Sequence, residues 1–183
     1  MRLRTVLAGA ATSLVLVLAG CGADNPKPAP PETSSASPSP SASPSDVAPT
    51  MPAKAKGSGP GAAKAFVKHY LDVLGYAART GEVNELRSLA GPNCRSCEGV
   101  IAKIDRIYAS GGHAEGRGYG AQNITSSSGR DKTLVDVTIV AYPQTVFRAG
   151  SETPTRSTKS KTPARFRLDR QGNKWVITEW VGT

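Results

Sequence analysis

The chain has few of the residues from which metal centres, disulfide frameworks and nucleic-acid stacking surfaces are built. Its 183 residues include three Cys, two His and only 5% aromatic residues. So few cysteines exclude a disulfide-dense miniprotein, and two separated histidines provide no pair of zinc ligands. The single long apolar run, at the N-terminus, excludes a protein with several membrane spans. Acidic residues are scarce too, since 14 Asp and Glu against 23 Lys and Arg give a net charge of +9.

The apolar run has the layout of an export signal. Residues 1–4 are Met-Arg-Leu-Arg, and residues 6–18 are apolar or small; this is short for a membrane-spanning helix. The run ends in Leu18-Ala19-Gly20-Cys21, which resembles a bacterial lipobox. The resemblance implies that residues 1–20 are a cleaved lipoprotein signal peptide and that Cys21 carries two or three acyl chains, palmitate among them. At about 0.8 kcal/mol per buried CH₂, these chains would hold the protein on the extracytoplasmic face of the cell membrane. An ordinary signal peptide with an incidental cysteine, or a short anchor, is the alternative.

Residues 21–59 are predicted to be the lipidated cysteine followed by a disordered tether. Residues 22–59 contain nine Pro and eight Ser but no aromatic residue. They cannot bury enough apolar surface to offset the entropy that ordering would remove. A proline-rich docking ligand is the alternative, although no basic or aromatic residues flank a PxxP core. The Ser and Thr residues are also open to O-glycosylation.

Residues 60–183 are predicted to form one folded domain, which is large enough to bury a single core. Helical spacing of apolar residues predicts a first helix that ends at Thr80-Gly81. A shorter helix over residues 82–90 and a third over residues 98–108 follow, and Gly111-Gly112 ends the last of them. The apolar stripe of the first helix is Ala63, Phe66, Val67, Tyr70, Leu71, Leu74, Ala77 and Ala78.

Beyond residue 112 the apolar residues alternate, which predicts strands. The predicted strands are residues 116–125, 134–142, 144–149, 164–169 and 174–181, with a turn at Gln171-Gly172-Asn173. Three helices packed on a curved antiparallel sheet of four or five strands define an α+β domain. Trp175 and Trp180 are separated by an odd number of residues, so alternation predicts that they lie on opposite faces of the last strand.

This order of elements resembles the cone-shaped fold of nuclear transport factor two and ketosteroid isomerase, in which helices close over a curved sheet. The lipobox, the Pro/Ser tether, Phe66-Val67-Lys68-His69-Tyr70 and Pro92-Asn93-Cys94-Arg95-Ser96-Cys97 also resemble a family of lipoproteins of unknown function from high-GC Gram-positive bacteria. The resemblance covers most of the chain. Because that family has no assigned activity, it implies a fold and a location but no mechanism.

Cys94 and Cys97 form a Cys-x-x-Cys motif that would face an oxidising compartment, where a disulfide persists. We expect a disulfide that holds the turn between the second and third helices and contributes about 2 kcal/mol in the chain-entropy model. A redox dithiol is the alternative, because a helix N-terminus can lower the pKa of a cysteine. The strand–CxxC–helix context of thioredoxin-like proteins is missing, however, and Glu98 beside the pair disfavours a thiolate.

The sequence predicts no set of catalytic residues that converge on one site, and we expect neither a bound metal nor another cofactor. An isomerase of the ketosteroid type needs a carboxylate base and acidic hydrogen-bond donors in its cavity. Asp105 and Asp136 are available, but both are predicted to be solvated. His69 is predicted on the polar side of its helix and His113 in a loop, so no Ser/His/Asp set is expected. The candidates to line a pocket are Tyr70, Tyr108 and Trp175.

The basic residues suggest an anionic partner that is not a nucleic acid. Arg117-Gly118-Tyr119-Gly120 matches the start of an RNA-binding strand motif, but the aromatic residues that should follow are absent, and export would remove intracellular RNA. Basic residues then recur around the polar loop: Arg156, Lys159, Lys161, Arg165, Arg167 and Arg170. A solvated face is one interpretation. The other is a patch that attracts anionic lipids, phosphate-bearing wall polymers or another envelope protein.

The sequence therefore predicts a lipid-anchored, extracytoplasmic binding or scaffolding module of the cell envelope, and not an enzyme. One alternative is a small-molecule carrier or isomerase-like enzyme that uses the cone cavity. Another is a Cys-x-x-Cys thiol redox protein.

Overall fold

Four helices precede seven strands in the computed structural model, which describes residues 47–129 and 132–183. The helices are α1 (Ala53–Lys56), α2 (Pro60–Thr80), α3 (Asn84–Ser88) and α4 (Arg95–Ala109). The strands are β1 (His113–Gly116), β2 (Tyr119–Ser128), β3 (Thr133–Ala141), β4 (Gln144–Phe147), β5 (Thr155–Ser157), β6 (Ser160–Gln171) and β7 (Lys174–Gly182). The predicted α+β class, with helices packed on antiparallel strands, is confirmed. The predicted signal peptide, Cys21 and the tether up to residue 46 lie outside the described residues.

Helix α2 is buried around most of its circumference. Pro60 stands at its first position, where the missing N–H costs no hydrogen bond. Its apolar stripe, which includes Phe66 and Tyr70, belongs to the main core. The helix ends at Gly81, which adopts a left-handed φ of 79° and donates its N–H to the Ala77 carbonyl over 2.9 Å. A Cβ at Gly81 would lie 2.7 Å from the Tyr108 ring, so glycine is required both for the turn and for the packing.

The larger sheet has the strand order β2-β3-β6-β7, with all neighbours antiparallel. On the side that faces the helices, Val135 lies opposite Phe166 and Val137 lies opposite Ala164. These four residues are buried, as are Leu168 and Ile177 on the neighbouring positions. Each large apolar side chain in this layer contributes roughly 1.5–3 kcal/mol by burial, and the layer packs against α2 to form the core.

A second sheet, with the strand order β1-β4-β5, is separate from the larger one. The sequence pattern predicts a single sheet, and that prediction is wrong. Gly116 and Gly118 have φ values of 140° and 87°, which turn the chain between β1 and β2. Pro143 has no N–H and interrupts the chain between β3 and β4. Both interruptions redirect the strands, so β1 and β4 pair with each other instead of extending the larger sheet.

An extra residue in β7 changes which side its tryptophans occupy. Arg167 pairs with Glu179 and Leu168 pairs with Ile177, so Thr178 has no partner of its own on β6. Such a bulge inverts the alternation of side chains beyond it. Trp180 therefore lies opposite Phe166 and stacks on its ring at 5.7 Å, on the same side as buried Trp175. The prediction that the two tryptophans face opposite sides is wrong.

The folded chain begins before the predicted boundary at Pro60. Ala55 in α1 is 2% exposed and, with Met51, packs against the core. The Gly57 carbonyl accepts hydrogen bonds from Trp175 Nε1 at 2.9 Å and from Arg170 Nη1 at 3.1 Å. The residues of α1 are Ala and Lys, which favour a helix. Because they follow a segment rich in Pro and Ser, the sequence pattern assigns them to the tether. No helix within residues 47–129 and 132–183 is long and apolar enough to cross a membrane.

Candidate functional site

A cavity of about 280 Å³ lies between α2, α4 and strands of both sheets. Apolar residues dominate its wall. The helices contribute Leu74, Ala78, Val100, Lys103, Ile104, Ile107 and Tyr108, and the strands contribute Ala114, Tyr119, Ile139, Ala141, Gln144, Val146, Thr162 and Trp180. A cavity with this lining suits an apolar or amphipathic small molecule.

The polar groups of the cavity wall are few, and the best placed of them is already engaged. The Tyr108 hydroxyl donates to the Ala78 carbonyl at 3.1 Å and accepts from the Ala114 N–H at 3.4 Å. Burial raises the pKa of Tyr108, while the Ala114 N–H and the Arg79 charge oppose that rise. Among the described residues that line the cavity, Lys103 is the single charged one, and none is a carboxylate or a histidine. The wall therefore offers no general base of the ketosteroid isomerase type.

The structure separates the three residues predicted to line a pocket. Tyr108 lies in the cavity wall, whereas Trp175 lies at the far end of the sheet against Gly57. Tyr70 is fully buried in the core, with its ring edge-on to Phe166 at 5.9 Å. Burial raises the pKa of Tyr70 to about 12, and the nearby indole N–H of Trp180 opposes this rise. The Tyr70 hydroxyl and Trp180 Nε1 do not meet the geometric criteria of a hydrogen bond. Trp180 completes the cavity in place of Trp175, because the β7 bulge turns it inward.

Cys94 and Cys97 are joined in a disulfide, and both are 0% exposed. The Cys94 sulfur also accepts the Cys97 N–H at 3.3 Å, at the N-terminus of α4. The chain is hydrogen-bonded to β7 before the pair and between its two cysteines: the Gly91 N–H donates to the Ile177 carbonyl at 2.8 Å, and the Trp180 N–H donates to Ser96 Oγ at 3.1 Å. Thiol exchange requires access to a sulfur atom, so this geometry supports a structural cross-link and not a redox dithiol.

The six predicted basic residues do not form one patch. Arg165 binds Asp136 at 2.7 Å, and Arg167 binds Glu179 at 2.6 Å across neighbouring strands. Arg170 lies 5.0 Å above the ring of Trp175 and donates to Gly57. The remaining three, Arg156, Lys159 and Lys161, are exposed and make no ion pair among the described residues. The register of the strands decides which of the basic residues meet a carboxylate, and the spacing of these residues along the sequence does not reveal it.

The two aspartates considered as catalytic bases are half-exposed members of ion pairs. Asp136 binds Arg165, and Asp105 binds Arg87 at 2.5 Å. Within residues 47–129 and 132–183, no three His, Cys, Asp or Glu side chains are grouped to hold a metal ion.

His69 is buried, with 1% exposure, and the predicted surface position is wrong. Helices α1 and α3 both contact α2, so the side of α2 that carries His69 is covered as well as its apolar stripe. His69 Nε2 lies 3.9 Å from Glu85 Oε1 of α3, beyond hydrogen-bond distance. Burial lowers the pKa of His69, although the charges of Glu85 and Asp72 oppose this effect. The imidazole is therefore neutral at pH 7.

The glycines of the RNA-binding-like segment have a structural explanation. A Cβ on Gly118 would lie 2.8 Å from the Cα of Gly75 in α2. The helix and the start of β2 approach too closely at this point for any side chain.

The architecture agrees with that of a known α+β domain. The intermembrane space region of the chloroplast protein ARC6 is similar, with a TM-score of 0.53 at 14% identity, over 73% of this chain and 98% of that one. An NTF2-like protein with a cystatin-like fold from Novosphingobium aromaticivorans gives a TM-score of 0.40 at 16% identity, over 63% and 77%. A putative scytalone dehydratase from the same organism gives 0.41 at 9% identity, over 64% and 81%. A comparison with curated proteins found no match.

The order of elements and the similarity to the ARC6 region define the chain as an α+β domain protein. A family model matches residues 37–180, and the chain belongs to that family, which is described as a family of unknown function (DUF6318).

Replacing both disulfide cysteines, Cys94→Ser with Cys97→Ser, is expected to lower the free energy of unfolding by about 2 kcal/mol, because the short loop is then open in the unfolded chain. Urea unfolding measures the change. Dithiothreitol should destabilise the wild type by a similar amount and leave the double variant unaffected. Equal stability of the two proteins without reductant would contradict the structural role.

The free energy of unfolding is expected to fall as the pH is lowered below about 6.5, the ordinary pKa of histidine in an unfolded chain. The folded-state pKa of His69 is lowered, so the unfolded state binds the proton more readily, and the stability lost grows until the folded-state pKa is passed. His69→Gln should flatten this part of the pH profile, as measured by urea unfolding from pH 8 downward. His113→Gln, at an exposed position, is the matched control and should retain the slope. An unchanged slope in His69→Gln would show that other groups cause it.

Proposed function

We propose that this protein is a lipid-anchored, extracytoplasmic component of the cell envelope and that its α+β domain is a non-enzymatic binding module. The observation that carries the proposal is Leu18-Ala19-Gly20-Cys21 directly after a cationic segment and a short apolar run. Small residues before a cysteine suit cleavage by a lipoprotein signal peptidase, and the thiol is the group that accepts diacylglycerol. The same features support the finer proposal of a lipoprotein family from high-GC Gram-positive bacteria with a cone-like fold.

The chemistry of the domain supports binding over catalysis. The cavity wall contains no carboxylate or histidine, and its tyrosine hydroxyl is held by two backbone groups. The half-exposed aspartates are neutralised by arginines, and the disulfide is closed and buried. A catalytic acid–base pair needs two titratable side chains that can donate and accept a proton and that converge on one substrate.

Cys21→Ala is expected to abolish incorporation of labelled palmitate and to move the protein out of the membrane fraction of its native host. The reason is that an acylated cysteine supplies the apolar surface that partitions into the bilayer. Ser34→Ala, in the predicted tether, is the matched control and should leave both properties unchanged. If the Cys21→Ala protein remained membrane-bound and processed as before, the lipoprotein assignment would be wrong.

A second candidate function is a carrier of an apolar small molecule, and the cavity between the helices and the sheet favours it. Its wall combines the aromatic side chains of Tyr108, Tyr119 and Trp180 with aliphatic residues. Several of its lining residues, among them Leu74 and Ile104, also belong to the main core.

Ala78→Phe is expected to weaken binding of the apolar dye 8-anilinonaphthalene-1-sulfonate about tenfold, because a phenyl ring on α2 would occupy the cavity. Fluorescence titration of the dye measures the effect. Ala102→Phe, on the exposed side of α4, is the matched control. Equal dye affinity in both variants, with unfolding midpoints that show both to be folded, would place the dye outside the cavity and remove this candidate.

A further inference from the structure

The end of β3 carries an exposed cationic group that is organised around one tyrosine. The Arg117 guanidinium carbon lies 4.6 Å from the centre of the Tyr142 ring, and Lys159 Nζ lies 5.7 Å from it. Lys161 is the cross-strand neighbour of Val140, two residues before Tyr142. We call Arg117, Tyr142, Lys159 and Lys161 the Tyr142 cluster. Arg117 was not part of the basic patch that the sequence predicts, because it lies forty residues away in the chain.

The charges of the Tyr142 cluster are available to an external partner. Arg117, Lys159 and Lys161 are exposed, and no carboxylate among the described residues pairs with them. Glu115, the acidic residue nearest to Arg117 in the chain, lies 3.8 Å from His113. The arginines further along β6 are instead occupied by Asp136, Glu179 and Trp175. Three exposed cations without a carboxylate partner among the described residues therefore come together at the Tyr142 end of the sheet, whereas the opposite end carries Lys174 by itself on β7.

The Tyr142 cluster lies at the opposite end of β6 from the point where the N-terminal segment joins the sheet. Gly57 is bonded to Arg170 and Trp175 beside the β6–β7 turn. Lys161 is nine residues from Arg170 on the same strand, which corresponds to about 30 Å at 3.3 Å per residue. The chain from Cys21 to Val47 can span at most about 90 Å when extended. It is long enough for a molecule anchored at Cys21 to bring the far end of its sheet to the bilayer.

We propose that the Tyr142 cluster is a docking surface for the anionic lipid headgroups of the membrane that carries the anchor; the inference rests on the lipid anchor proposed above. A guanidinium and two ammonium groups match headgroup phosphates in charge. Tyrosine suits the boundary between headgroups and acyl chains, since its ring is apolar and its hydroxyl is polar. Docking would lay the domain against the bilayer and set which of its faces is turned away from the membrane.

The test uses the full, acylated protein reconstituted through its own anchor into two kinds of vesicle, one of phosphatidylcholine and one that also contains phosphatidylglycerol. A membrane-impermeant N-hydroxysuccinimide ester acetylates exposed lysines, and mass spectrometry follows each site. In the anionic vesicles Lys159 and Lys161 should be acetylated about fivefold more slowly than in the neutral ones. This factor corresponds to the attraction of one lysine to an anionic bilayer surface, about 1 kcal/mol. Lys68 and Lys174, on α2 and at the opposite end of the sheet, should react equally in both. High salt should remove the difference.

Variants in which basic residues are replaced by glutamate distinguish docking through the Tyr142 cluster from a general attraction of the basic domain to the anionic vesicles. Arg117→Glu with Lys159→Glu should abolish the protection of Lys161, whereas the matched pair Lys68→Glu with Lys174→Glu should retain it. Equal labelling of Lys161 in both vesicles, with the protein still bound, would overturn the docking surface alone. Equal protection of all four lysines would overturn its location. Protection by a soluble polyglycerol phosphate but not by anionic vesicles would assign the surface to a wall polymer instead. Loss of the protein from both vesicles would overturn the anchor, and this inference with it.

Discussion

The burial of α2 is the constraint on which the rest of the domain depends. The helix contacts β1, β2 and β3 on one side and α1 and α3 on the other. Such a helix must be apolar around most of its surface and must have small residues where backbones meet. Gly75, where α2 meets the backbone of Gly118, fulfils the second requirement, and Gly81 at the end of the helix leaves room for the ring of Tyr108. A single histidine, His69, lies within this otherwise apolar environment.

The position of the cavity follows from how α4 is held. Its first turn is fixed to β7 by the hydrogen bond between the Trp180 N–H and Ser96 Oγ, and its last turn is fixed to α2 by the hydrogen bond from the Tyr108 hydroxyl to the Ala78 carbonyl. The middle of α4 spans the space between these two attachments, where Ile104 and Ile107 face the cavity. These two attachments set the position of α4 relative to α2 and β7, and the cavity lies beside the helix between them.

Much of the fold could be predicted from sequence because the signals are local. Apolar spacing identified α2 and α4, and alternation identified β3, β6 and β7, including the turn at Gly172-Asn173. The failures have nonlocal causes. The burial of His69 depends on α1 and α3, which pack against α2. The single turn of α1 is in turn held by Ala55, which is buried in the core, and by the Gly57 carbonyl, which accepts a hydrogen bond from Trp175. The bulge at Thr178 depends on its pairing with β6, so the inward position of Trp180 has no signature in β7 itself.

The candidate sites were predictable to a smaller extent. The disulfide could be expected because its two cysteines are close in the chain, and of the three pocket candidates the structure places Tyr108 in the cavity wall. The division of the basic residues could not be expected, since Asp136 and Glu179 reach Arg165 and Arg167 only in the antiparallel register. Arg117 and Lys159 meet across Tyr142 for the same reason. Residues far apart in sequence define these surfaces, and only the paired strands bring them together.

We propose as the central claim that this domain works outside the cell at the end of a lipid anchor, where its cavity and its cationic end would meet envelope components. Mass spectrometry of the mature N-terminal peptide, purified from the native host, tests that claim most directly. We predict a peptide that begins at Cys21 and carries the mass of a diacylglyceryl group. An unmodified peptide that runs through the Gly20–Cys21 bond would contradict it.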